Sequence, residues 1–183
     1  MFTNILRALE VIYAKVLNII WVVRKFKYIL FFALAFFCIC QIKAQIIREI
    51  PSYSLNDIAC ASFDNYGPVI YFNPTICQQA GELTTLFFKA HEYGHHNLGH
   101  VIQKIWNSQN PYVQQWLDIT MENEADAYAV RYWVTQNNIT IIQAWVNTMW
   151  MYNNIGDSTH LPSKVRAENV VQYYYQLTGL RLF

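Results

Sequence analysis

The apolar and polar positions of this chain change their rhythm near residue 45. Tyr28 to Ile42 is an almost unbroken apolar run, preceded by the basic cluster Arg24-Lys25-Phe26-Lys27 and followed by Lys43-Ala44. Beyond it the pattern becomes one of short elements. Val69-Ile70-Tyr71-Phe72 is β-prone and lies between the turn residues Asp64 to Pro68 and Asn73-Pro74, which predicts a strand. From Gly81 or Glu82 to about Leu98, the residues Leu83, Leu86, Phe87, Ala90 and Gly94 recur at helical spacing and predict a helix that buries this stripe. Pro111 opens a further helix, whose stretch from Trp116 to Trp133 contains neither Pro nor Gly. Thr140 to Tyr152 and Lys164 to Leu177 predict two more. There are no repeats, low-complexity runs or linkers after Pro51, so residues 45–183 read as one α+β domain, a small sheet packed on several helices.

The first of these helices carries chemistry. His91-Glu92-Tyr93-Gly94-His95 spells H-E-x-x-H, and residues four apart on a helix share a face. His91 and His95 can therefore hold one zinc ion between them, with Glu92 beside them to take a proton from the attacking water. Four of the five histidines fall between Lys89 and Val101, which sets this segment apart from a merely solvated face.

Two imidazoles need a third ligand. A third His six residues after His95 is ruled out, because Val101 stands there. The next helix offers Glu122-Asn123-Glu124-Ala125-Asp126 instead. Glu122 and Asp126 share a face, while Glu124 is turned away by about 200° at 100° per residue. Glu122 is thus the expected third ligand, with Glu124 as the alternative. Asp126 is expected to accept a hydrogen bond from the free ring nitrogen of one liganding His.

His91 to His100 followed by Glu122 to Asp126 resembles the gluzincin metallopeptidases, especially the type I CAAX prenyl protease and HtpX-like family, whose blocks are H-E-x-G-H-x-x-x-x-H and E-x-E-A-D. A third block of that family, T-H-P-x-x-x-x-R, is matched by Thr159-His160-Leu161-Pro162-Ser163-Lys164-Val165-Arg166, with Leu161 in place of the first Pro and the Pro displaced by one. The resemblance covers roughly residues 70–166. It implies a zincin-like fold, Zn2+ held by His91, His95 and Glu122, and Glu92 as general base. It further implies His160 near the reacting carbonyl, Arg166 orienting or neutralising part of the site, and a peptide or protein substrate. In zincins an edge strand runs beside the cleft, and Val69 to Phe72 is the candidate for it, a plain core strand being the alternative. His96 is expected on the helix surface, and His100 as a structural residue at the helix end near Gly99.

Composition then places the domain. Of 183 residues 54% are hydrophobic and 14% charged, and much of the apolar excess precedes residue 45. A basic cluster, an apolar run of about fifteen residues and a small residue at Ala44 describe a secretory signal peptide over 24–44, since a membrane span needs about twenty. An uncleaved anchor over 28–42, tethering the protein to a membrane, is the alternative. Residues 1–23 read as an upstream extension, or as a start assigned too early. Residues 45–183 keep seven Lys and Arg against eleven Asp and Glu, which gives no reason to expect nucleic-acid binding. Cys60 and Cys77 are left to form one disulfide or two buried thiols. The expectation is an exported zinc endopeptidase, periplasmic or secreted. The rivals are a catalytically inactive zinc-binding envelope protein that binds peptides or partner proteins, and a helical interaction protein without metal.

Overall fold

The structure is a computed structural model and describes residues 46–107, 111–152 and 154–183, so the signal-peptide, anchor and start-site readings lie outside the described residues. Three strands form one mixed sheet: β1 (Arg48–Pro51), β2 (Ala59–Asp64) and β3 (Gly67–Phe72). Their order is β1-β3-β2, with β1 parallel and β2 antiparallel to β3. Six helices follow among the described residues: α1 (Pro74–Ala80), α2 (Glu82–Asn97), α3 (His100–Asn107), α4 (Pro111–Thr135), α5 (Ile139–Met151) and α6 (Ser163–Thr178). None of them is long and apolar enough to cross a membrane. The architecture is α+β.

The strand at Val69 to Phe72 is therefore central, not an edge. Its apolar residues run without alternation because both faces are covered, and Val69 and Ile70 are fully buried. The edge beside the helices is β2, whose Ala-Cys-Ala-Ser core has too little β-branched character to announce itself. On the opposite edge, β1 ends at Pro51, a residue that an edge strand tolerates. Asn73-Pro74 ends β3 and also starts α1. The Asn73 side chain accepts from the Thr75 and Ile76 N–H groups, Pro74 occupies the first helical turn, and the Asn73 amide donates to the Leu55 carbonyl at 2.7 Å.

The core lies between α2, α4, α5 and α6. Phe87 stacks on Trp145 at a centroid distance of 4.4 Å, and Ala129, Val130, Ile142, Val146, Ala167 and Val170 close around them. Two side-chain placements on α2 need correction. Leu83 is 42% exposed, and Thr84 takes the buried position, bonded to Thr148 at 2.9 Å. His96 is not a surface residue. The β2–β3 hairpin crosses the last turn of α2, so His96 Nε2 donates to the Val69 carbonyl at 3.0 Å and Phe63 packs edge-on to the ring.

Gly94 lies where α2 passes close against Tyr128 of α4. A Cβ there would stand 3.1 Å from Cβ of Tyr128, so a side chain would push α4 away. The helix-propensity cost of this Gly, roughly 1 kcal/mol against Ala, allows the close approach.

Trp145 supports both the core and the site, since it stacks on Phe87 and lies 5.6 Å beneath the Arg166 guanidinium. Trp145→Ala should cost about 3–5 kcal/mol, the usual range for emptying a large aromatic site. Trp145→Phe should cost less, because it keeps a stacking ring and removes a buried indole N–H that has no hydrogen-bond partner among the described residues. Urea unfolding midpoints of the two variants test this order.

Candidate metal centre

Three ligand atoms converge where α2 faces α4. His91, His95 and Glu122 are all buried, and one ligand atom from each lies within 4.8 Å of the others. The two Nε2 atoms are 3.0 Å apart. Glu122 Oε2 is 3.0 Å from His91 Nε2, and Glu122 Oε1 is 3.3 Å from His95 Nε2. Ligand atoms about 2.0–2.1 Å from a tetrahedral zinc ion lie about 3.3 Å from one another, so the spacing suits such an ion with little adjustment.

Charge gives a second test of fit. Two imidazole lone pairs and a carboxylate cannot face each other at these distances without a cation among them. Burial opposes charge on His91, but hydrogen bonds to Asp126 and Glu122 outweigh it and push the imidazole up from 6.5 to about 10. Burial pushes His95 down to about 4, and positive charge on His91 adds to that while Glu122 opposes it. One proton on His91 Nε2 thus holds the cluster together at neutral pH, where a divalent ion would do so more strongly. Burial also disfavours the Glu122 anion, yet the hydrogen bonds from His160, His91 and His95 hold its carboxyl far below the usual range. The donor set could hold a divalent metal ion such as zinc.

Each ring is oriented from behind. His91 Nδ1 donates to Asp126 Oδ1 at 2.8 Å. Asp126 is completely buried and receives both Nε (2.9 Å) and Nη2 (2.7 Å) of Arg166. Burial raises its carboxyl and the Arg166 charge, helped by His91, reverses this, so the net direction is down. Arg166 thus holds the carboxylate behind His91, and its charge also acts on Glu122, Glu92 and His160. His95 Nδ1 lies 3.1 Å from His100 Nδ1, and the other nitrogen of His100 meets Glu124 at 3.0 Å. That explains why Glu124 is absent from the ligand cluster: it points the other way, largely exposed, to fix His100. Gly99, with φ +76°, turns the chain from α2 into α3 and brings His100 back over His95.

Glu92 is buried on the cleft side and accepts from the Ala61 backbone N–H at 2.6 Å. Burial raises its pKa; Glu122 adds to this, while His91 and the Ala61 N–H oppose it. A carboxylate raised in this way is a better proton acceptor at neutral pH. His160 arrives on the loop between α5 and α6, with Nε2 3.4 Å from Glu122 Oε2. Asp157 builds that loop by accepting from the Thr159 and His160 N–H groups and the Thr159 hydroxyl. Gly156 is required there, because its φ is +82° and a Cβ would stand 2.7 Å from the His160 carbonyl. Leu161 does not keep His160 away, and the displaced Pro162 caps α6. The hydrogen bond to Glu122 raises the His160 pKa against the effect of burial.

These side chains line a cleft of about 880 Å³, bounded on one side by Ala59, Cys60 and Ala61 of β2 and on the other by Met149, Met151 and Leu161. Cys60 and Cys77 are free thiols, one exposed and one half-buried, so neither expected arrangement is found. Sequence reasoning missed Lys104, 3.5 Å from Glu122 Oε1 and 3.3 Å from Asp118, together with the cleft-facing N–H of Ala61. The signal for Asp118 was present, since Asp118, Glu122 and Asp126 recur every four residues. Comparison with protein-family models, curated proteins and solved structures returns no match for this chain.

A metal ion such as zinc, held by this cluster, would compete with a proton for His91 Nε2. With its pKa raised to about 10, His91 keeps that proton throughout the neutral range and must release it to bind metal. Apparent zinc affinity should therefore rise about tenfold per pH unit from pH 6 to 9, and fall as acid is added, with about one proton released per ion. Calorimetry in buffers of different ionisation enthalpy reads that number directly, and zero release contradicts the assignment.

Proposed function

We propose that this chain is a zinc metallopeptidase of gluzincin type, exported or held at a membrane by its N-terminal segment, that hydrolyses peptide or protein substrates. The observation that carries the reading is the buried convergence of His91, His95 and Glu122 with Glu92 beside them in the same cleft. When bound there, zinc supplies a Lewis acid for the scissile carbonyl and lowers the pKa of a water to about 7. The remaining steps belong to the chain. Glu92 takes the water's proton and passes it to the leaving amine, a duty suited to a carboxyl that burial has raised. His160 lies at the cleft edge of Glu122 and donates to the oxyanion as it forms. Asp126, held by Arg166, fixes the His91 ring. The free edge of β2 faces the cleft, and its Ala61 N–H offers an extended peptide a main-chain hydrogen bond once Glu92 releases it.

Glu92→Gln should leave zinc content unchanged and lower kcat on a peptide library by roughly 10²–10⁴-fold, the usual share of a general base. Glu122→Ala should lose the metal itself. Metal analysis and hydrolysis assays on the full-length chain, with and without chelator, check both. A zinc-loaded wild type that cleaves nothing would leave only a metal-binding protein that holds peptides.

A further inference from the structure

Glu122 has two oxygens in two different environments. Oε2 faces His91 and His160, at 3.0 and 3.4 Å. Oε1 faces His95 and, from α3, the Lys104 ammonium at 3.5 Å. Lys104 is one turn beyond His100, so the same short helix that fixes His95 delivers this cation. Asp118, one turn before Glu122 on α4, holds it from the other side at 3.3 Å. Asp118 is 6% exposed, and its Oδ1 has no hydrogen bond among the described residues, which leaves the Lys104 charge as its compensation. A buried carboxylate placed in this way pins the ammonium, because separating them would strand a buried charge.

We propose that Lys104 is a positioning residue that clamps Glu122 Oε1, so that Glu122 offers the single oxygen Oε2 to a bound divalent ion. The inference rests on the metal-site reading above and deepens it. A carboxylate free on both oxygens can ligate through both, and a catalytic site needs one position left open. An ammonium on Oε1 removes the second oxygen from use and draws charge away from the ligand. The clamp therefore lowers metal affinity while it preserves an open position. A plain structural brace has the opposite signature, since losing it weakens the site.

The test compares wild type with Lys104→Met and Lys104→Arg in the full-length chain, using zinc affinity from chelator competition and the visible absorption of the cobalt(II)-loaded protein. Cobalt bands weaken as coordination number rises. Lys104→Met should bind zinc about tenfold more tightly and lose about half the cobalt absorption, while Lys104→Arg keeps both near wild type. Weaker zinc binding or an unchanged spectrum in Lys104→Met overturns the clamp. Should that variant fail to fold, Asp118→Asn takes its place: a drop in cobalt absorption supports the clamp and an unchanged spectrum overturns it. A wild type that takes up neither ion overturns the metal-site reading itself, which a metal-binding wild type with an indifferent Lys104 leaves intact.

Discussion

Three buried carboxylates on one stripe of α4 set the terms for the rest of the molecule. Asp118, Glu122 and Asp126 recur every four residues, so they share a face, and all three are buried. Like charges one turn apart repel, and a buried anion costs several kcal/mol unless a partner is held against it. The fold supplies those partners from three other helices. Lys104 comes from α3, His91 and His95 from α2, and Arg166 from α6. Packing follows from this. Gly94 lets α2 approach α4 closely enough for imidazoles to reach Glu122, and Trp145 supports Arg166 from the hydrophobic side.

What the sequence made legible is what helical periodicity encodes locally. His91 and His95 are one turn apart, and so are Glu122 and Asp126, so each pair can be placed on a face without knowing the fold. Choosing Glu122 over Glu124 followed from the same arithmetic, and in the structure Glu124 faces His100 instead. Helix extents were close for the same reason, with α5 and α6 beginning one residue before the expected starts. The illegible parts depend on contacts between distant segments. Val69 to Phe72 has the composition of a strand, but only its neighbours decide whether it is central. β2 is poor in β-formers and is held in place by pairing with β3. His96 looked exposed because its covering hairpin lies about thirty residues earlier in the chain. Lys104 was invisible while α3 was not recognised as a helix, since its meaning comes from standing one turn after His100.

The two cations that serve the α4 stripe differ in kind, and the difference matches their surroundings. Arg166 lies under the site, almost fully buried, with both its Nε and Nη2 on one carboxylate and its plane above Trp145. Guanidinium suits that place because it stays charged when desolvated and its fork locks the geometry of Asp126. Lys104 sits at the cleft side, about one-third exposed, and spans two carboxylates as a point charge. An ammonium there keeps part of its hydration and needs no fixed orientation to face both carboxylates at once. The buried side of the stripe is therefore held by a directional fork and the cleft side by a point charge.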